Sequence, residues 1–141
     1  MFEPSSSVCS IAKKNLDEYN IIINNLAVGN KDGTSKFYEY GPSEISSVHK
    51  NDDKEEKKPI SVPIATIDNY CYSNNIDKID FLKIDTEGHD LIVLKSINLE
   101  RIYVKFIKIE HKHLDKNKIK NYLEKYNYLV YIENDDIYAI K

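Results

Sequence analysis

The amino-acid sequence predicts an α/β protein whose sheet is mostly parallel and whose last strand is antiparallel. Apolar, β-branched runs alternate along the chain with segments of helical periodicity, which is typical of this class. One run, Ile79 to Ile84, is apolar on both faces, which favours a central strand flanked by other strands and covered by helices. The run ends at an acidic turn containing Gly88, and Leu91, Leu94 and Ile97 follow at helical spacing.

Length and composition bound the class of protein. The 141 residues are 41% apolar and 30% charged, which fits one globular domain over 1–141. A net charge of −3 gives no sign of a nucleic-acid footprint. No apolar run approaches the roughly 20 residues that span a bilayer, and the first residues have no secretory pattern. We therefore expect a cytoplasmic protein with Cys9 and Cys71 as reduced thiols.

The other elements are predicted from periodicity, caps and turn residues. In chain order they are a helix over about Ser6 to Glu18, a buried strand within Tyr19 to Val28, a strand over Thr34 to Tyr40, a strand over Ile60 to Ile67 with Pro63 at an edge or bulge, a helix over Ile67 to Ser73 capped by Thr66, a strand over Ile102 to Ile109, a helix from Asp115 to about Tyr126, and a hairpin of Tyr128 to Glu133 with Ile137 to Lys141. The charged segment 49–58 is predicted to be a flexible loop, with a flap over a site as the alternative.

Asp85 and Glu87 are candidates for chemistry because open α/β sheets bind ligands at the carboxyl ends of their strands. The same residues have a structural interpretation. Asp85 or Thr86 would cap the following helix, while Glu87 and Asp90 would complement its positive end. The residue pattern alone leaves both interpretations open.

The stretch from Ile79 to Asp90 closely resembles the signature of the FkbM-type S-adenosylmethionine-dependent methyltransferases, with Asp90 where glutamate is usual. Weaker matches follow in the expected order and cover nearly the whole chain. They are Phe2-Glu3-Pro4, Asn25 to Gly33, Val62 to Asp68, Ile107 to Glu110 and Tyr126 to Tyr128.

The resemblance implies a Rossmann-like class I methyltransferase sheet in the order 3-2-1-4-5-7-6, and S-adenosylmethionine as cofactor. By the same resemblance Glu3 would bind the ribose hydroxyls, Asn25 to Ala27 would lie near the adenine, and Asp85 would face the methionine end. The methyl acceptor would be a small molecule or a glycan, with the methyl group going to a hydroxyl on a sugar, a glycolipid or a natural product. Asp85, Glu87 or His111 could serve as general base.

The resemblance is incomplete at the front, where a first strand and a glycine-rich turn resembling D-x-G-A-N-x-G would precede Phe2. We therefore expect an N-terminally truncated domain with an exposed sheet edge, which would allow self-association. The alternative function is a non-catalytic remnant that acts as a binding or interaction module. A further alternative is a metal site built from Glu110, His111 and His113, with or without Asp85. Because exposed histidines at strand ends are common, no residue is assigned to a metal.

Overall fold

The computed structural model describes residues 1–38, 59–112 and 114–141. The predicted flexible loop 49–58 and His113 lie outside the described residues, as do the last two residues of the predicted strand Thr34 to Tyr40. The chain forms two compact units, Met1–Ala65 and Thr66–Lys141.

The described residues of the first unit form one helix and a three-stranded sheet. Its elements are α1 (Ser6–Asn15), β1 (Ala27–Val28), β2 (Gly33–Phe37) and β3 (Ile60–Ala65). The strand order is β1-β3-β2, with β3 parallel to β1 and antiparallel to β2. Ala27, Phe37 and Val62 form the buried core of this sheet.

The predicted buried strand within Tyr19 to Val28 is mostly wrong. Ile21 and Ile22 are 45% and 71% exposed, and the only strand in this stretch is Ala27–Val28. Asn24 makes an isolated parallel bridge to Phe2. β-Branched residues favour a pleated, half-buried surface, but the strand forms only where a partner pairs with it.

Helix α1 begins where the sequence predicts it. The Ser5 Oγ accepts the Val8 N–H at 3.4 Å, so Ser5 is the N-cap, and the helix ends at Asn15 rather than Glu18. Pro63 lies within β3, the middle strand, opposite Thr34 of β2. On its other side β1 pairs only with Ile64 and Ala65, so Pro63 lies where the strand is paired on one side, a position that tolerates a missing N–H.

The second unit contains a four-stranded sheet and three helices. Its elements are α2 (Ile67–Ser73), β4 (Lys78–Ile84), α3 (Asp90–Lys95), β5 (Tyr103–Glu110), α4 (Lys116–Lys125), β6 (Leu129–Glu133) and β7 (Asp136–Ile140). The strand order is β4-β5-β7-β6. One face of the sheet carries fully buried residues, Ile107, Ile109 and Ile137, and α4 contributes the equally buried Ile119 and Leu123.

The expected single, mostly parallel Rossmann-like sheet is wrong for this structure. The described strands form two mixed sheets, of three and four strands, and no described strand joins them. The β1–β3 and β4–β5 pairs are parallel, whereas β2–β3, β5–β7 and β6–β7 are antiparallel. Antiparallel pairs form readily between neighbouring segments, whereas parallel pairs require a long crossover. The second sheet alone keeps the order 4-5-7-6 that the resemblance implied.

The position of β4 is also corrected. The apolar run predicted a central strand, but β4 lies at the end of its sheet and pairs only with β5 among the described strands. Phe81 is consequently 56% exposed, although its ring lies 5.5 Å from that of Phe106. Periodicity reports how apolar a strand is and does not report how many neighbours it has.

Other local predictions are confirmed. Thr66 Oγ1 accepts the Asn69 N–H at 3.1 Å at the start of α2, and Asp115 accepts the Asn117 N–H at 3.0 Å before α4. The terminal hairpin turns at Asn134, which has a φ of 52°. None of the helices in the described part of the chain is long and apolar enough to cross a membrane.

We expect Tyr128→Phe to destabilise the second unit by about 1–3 kcal/mol, because the buried Val104 carbonyl loses the hydrogen bond that the Tyr128 hydroxyl donates. The Tyr128 ring is 3% exposed and its hydroxyl donates to the Val104 carbonyl at 2.6 Å. Urea unfolding measures the change. Tyr131→Phe is the matched control, since Tyr131 is 63% exposed, and equal losses in both variants would contradict the role of this hydrogen bond.

Candidate functional site

Two neighbouring parallel strands bring carboxylates to the same edge of the second sheet. In the β4–β5 register Ile84 lies opposite Ile109, so the next residues, Asp85 and Glu110, follow the two strands side by side. The Ile84 and Ile109 side chains are buried and fix this register from the other face of the sheet. Because successive side chains in a strand alternate, the two carboxylates leave on the same, opposite face.

Glu87 joins these two residues, and we call Asp85, Glu87 and Glu110 the carboxylate cluster. One oxygen from each lies within 4.8 Å of the others. Asp85 also accepts a hydrogen bond from Lys83 Nζ at 2.7 Å, which balances part of the negative charge. The cluster therefore concentrates acidic groups at a sheet edge where a cation would be attracted.

Residues 85–89, which we call the acidic turn, have an unusual backbone. Glu87 has a φ of 52° and Gly88 a φ of 94°, both in the left-handed region. Such a conformation costs a side-chain-bearing residue about 1–3 kcal/mol. The carboxylate of Asp90 accepts the Thr86 N–H at 2.7 Å and the Gly88 N–H at 3.1 Å, which holds the turn in this shape.

The predicted capping role of Asp85 or Thr86 is wrong. The N-cap of α3 is His89, and no side chain makes a capping hydrogen bond there. The Thr86 Oγ1 is buried and has no hydrogen-bond partner among the described residues. The prediction that Asp90 would complement the positive end of the helix agrees with its place in the first turn of α3.

Glu110 is a member of the carboxylate cluster whose pKa is raised. Burial raises the pKa of Glu110 above its ordinary value, and the negative charges of Asp85 and Glu87 raise it further. The Asp90 charge acts in the same direction, whereas Lys112 lowers the pKa. A carboxylate that holds its proton more tightly is also a better proton acceptor.

His111 does not belong to the carboxylate cluster. Its backbone N–H donates to the Asp135 carbonyl at 2.7 Å, and its Nε2 lies 3.1 Å from the Asn134 carbonyl. A carbonyl can only accept, so in this contact Nε2 carries a proton and donates it. The imidazole is thus held against the terminal hairpin. Among the residues that the structure describes, the group with spacing suited to a metal ion is the carboxylate cluster and includes no histidine.

Two candidate cofactor residues of the first unit, Glu3 and Asn25, directly follow the residues of the Phe2–Asn24 bridge. Glu3 Oε1 accepts the Ser5 N–H at 2.8 Å. The Asn25 amide donates to the Glu3 and Pro4 carbonyls at 2.9 and 3.1 Å, so it ties the segment in place. Ala27 is buried in the core of the first sheet, so its side chain is not accessible at the surface. Glu3 and Asn25 are brought together, with Asn25 positioning the backbone that carries Glu3.

Glu110 is the residue that sequence reasoning left out of the catalytic set. It was considered only as a metal ligand and as the end of a strand. The signal that would have found it is the alignment of two strands that both end in an acid, Ile84-Asp85 and Ile109-Glu110. Adjacent parallel strands place such residues next to each other.

Comparison with known proteins agrees with the resemblance to the FkbM family that the sequence around the acidic turn indicates. The model of the methyltransferase FkbM domain family matches residues 1–130. No curated protein and no solved structure gives a significant match. The match covers both compact units up to β6.

We expect Glu110→Gln to stabilise the second unit at pH 7–8 by up to about 1 kcal/mol, with the difference vanishing below about pH 4. Because the folded pKa of Glu110 lies above its ordinary value of 4.5, its contribution to stability is present below 4.5 and is lost as the pH rises through the folded pKa. Thermal unfolding at several pH values measures this. Glu133→Gln, at the exposed end of β6, is the control, and a difference that grows as the pH falls would contradict the assignment.

Proposed function

This chain belongs to the FkbM methyltransferase family, and we propose that it is an S-adenosylmethionine-dependent methyltransferase domain acting on a hydroxyl. The acceptor class we propose is a sugar, a glycolipid or a natural product. The observation that carries the proposal is the carboxylate cluster, because two of its three members, Asp85 and Glu87, lie in the segment that resembles the family signature and the cluster suits a cationic ligand.

The chemistry of the residues fits the proposed methyl donor. Bound S-adenosylmethionine would supply an electrophilic methyl group on a positively charged sulfur. Three carboxylates, of which Asp85 is paired with Lys83, would favour this cation over the neutral thioether product. At a separation of about 4 Å and an effective dielectric constant of about 20, a single charge pair is worth roughly 4 kcal/mol before desolvation is counted. A modest fraction of this energy would give a clear preference.

The cofactor ribose is assigned to Glu3. A carboxylate accepts several hydrogen bonds, so the Ser5 N–H and the ribose hydroxyls can share it. Asn25 would act indirectly, since both hydrogens of its amide are already donated to backbone carbonyls. Its role would be to hold Glu3 in place rather than to bind the adenine.

Methyl transfer to a hydroxyl also requires a proton acceptor. Transfer to a hydroxyl would release the hydroxyl proton, which a side chain of this chain would have to accept. Glu110 is the best base of the cluster because its pKa is raised. Asp85 is paired with Lys83, and the Nε2 of His111 is engaged with a carbonyl.

The second candidate function is a binding module that does not transfer methyl groups. Such a module would keep a ligand site at the carboxylate cluster without catalysis.

We expect Glu87→Gln to weaken the binding of S-adenosylmethionine about tenfold and to leave that of S-adenosylhomocysteine nearly unchanged. The substitution removes a negative charge that only the sulfonium senses, and tenfold corresponds to about 1.4 kcal/mol. Isothermal titration calorimetry with both ligands measures the ratio of affinities.

Asp80→Asn provides the control, because Asp80 lies on β4, the strand before the acidic turn, is 76% exposed and is paired with Lys78. It should leave both affinities unchanged. No heat with either ligand at millimolar concentration would rule out the enzyme proposal for this chain and leave the binding module.

A further inference from the structure

Asp90 is a buried carboxylate that the proposed chemistry does not use. It is 1% exposed, and each of its two oxygens accepts one backbone hydrogen bond, from Thr86 and from Gly88. Burying a charged carboxylate is unfavourable unless its hydrogen bonds compensate. The two hydrogen bonds from the backbone therefore offset the unfavourable burial of the Asp90 carboxylate.

The hydrogen bonds of Asp90 reach backwards out of its helix. Helix α3 begins at Asp90, and both donors precede it in the acidic turn. A capping carboxylate would instead satisfy the first amides of the helix itself. The Asp90 side chain consequently constrains the turn more than it stabilises the helix.

The constrained segment carries Asp85 and Glu87, two of the three members of the carboxylate cluster. Its two residues of positive φ are Glu87 and Gly88, and the amide of Gly88 is one that Asp90 holds. Without this hold, the turn would relax away from the left-handed conformation, and mutual repulsion would separate the carboxylates.

We propose that Asp90 is a positioning residue whose carboxylate fixes the acidic turn and thereby keeps the carboxylate cluster together. Its consequence for ligand selectivity rests on the proposed function, whereas the grouping of the carboxylates can be tested without any ligand.

The ligand-free test is a double-mutant cycle read by carboxyl ¹³C NMR. Glu87→Gln should lower the pKa of Glu110 in the native background, because the two charges are close. In an Asp90→Asn background the same substitution should produce less than half of that shift. The amide of asparagine offers one acceptor in place of two, so one turn amide loses its partner. Comparing the two backgrounds cancels the direct effect of the Asp90 charge on Glu110.

Ser96→Ala is the matched control at the other end of α3. Ser96 is also buried, donating to the Val93 carbonyl at 2.7 Å and accepting the Ile67 N–H at 3.3 Å. It should lower stability and leave the coupling between Glu87 and Glu110 at its native size. If Asp90→Asn does not fold, Asp90→Ser, which keeps one acceptor, should still reduce the coupling. Native-sized coupling in the folded Asp90 variants, or no coupling in the native background, would overturn the proposal.

Ligand binding gives a second readout that separates the two proposals. Asp90→Asn should lower the ratio of S-adenosylmethionine to S-adenosylhomocysteine affinity about tenfold, with Ser96→Ala at the native ratio. A native ratio in Asp90→Asn overturns the positioning role in selectivity. If the native chain binds neither ligand, the proposed function fails, and the NMR cycle still decides whether Asp90 positions the cluster.

Discussion

The parallel register of β4 and β5 is the constraint on which the candidate site depends. Ile84 and Ile109 lie opposite each other with their side chains buried, and the carboxylates of Asp85 and Glu110 follow directly. Shifting one strand by a single residue would expose its buried isoleucine and turn its acid towards the core. Burial of two apolar side chains, worth roughly 1.5–3 kcal/mol each, therefore fixes the position of two charges.

The same arrangement places like charges together at a cost in stability. The raised pKa of Glu110 records that cost, since burial and its acidic neighbours both disfavour the charged form. Lys83 offsets part of it through Asp85, and Asp90 holds the turn against its own left-handed geometry. Local strain and repulsion that the surrounding core must stabilise are characteristic of functional positions, because folding alone would not favour them.

The sequence predicts the features that depend on neighbouring residues. The caps at Ser5, Thr66 and Asp115, and the terminal hairpin, follow from residue types whose preferences act within a few positions.

Strand pairing is different, because it joins distant segments. The apolar content of Ile79 to Ile84 could not tell a central strand from one at the end of a sheet. The same limitation explains the two sheets in place of one, and the exposed Ile22 in a stretch predicted to be buried. The carboxylate cluster could be predicted only in part. Asp85 and Glu87 follow from the local sequence of the acidic turn, whereas Glu110 joins them because β5 is adjacent to β4.

The surroundings of the three carboxylates suggest a division of roles that their residue types do not. The Asp85 Oδ2 lies 2.7 Å from the Lys83 Nζ, so the charge of Asp85 is the best compensated of the three and the least available to a ligand. Glu87 lies on the strained turn, where its orientation depends on Asp90, and it is the member most easily redirected. Glu110 ends a regular strand and, among the described residues, makes no ion pair, so it combines a fixed position with a raised pKa. Rigid placement and high proton affinity are the requirements of a general base, whereas an adjustable charge is suited to meeting a cation. Under the proposed function, the fold would thus separate proton transfer from charge recognition among carboxylate oxygens that lie within 4.8 Å of one another.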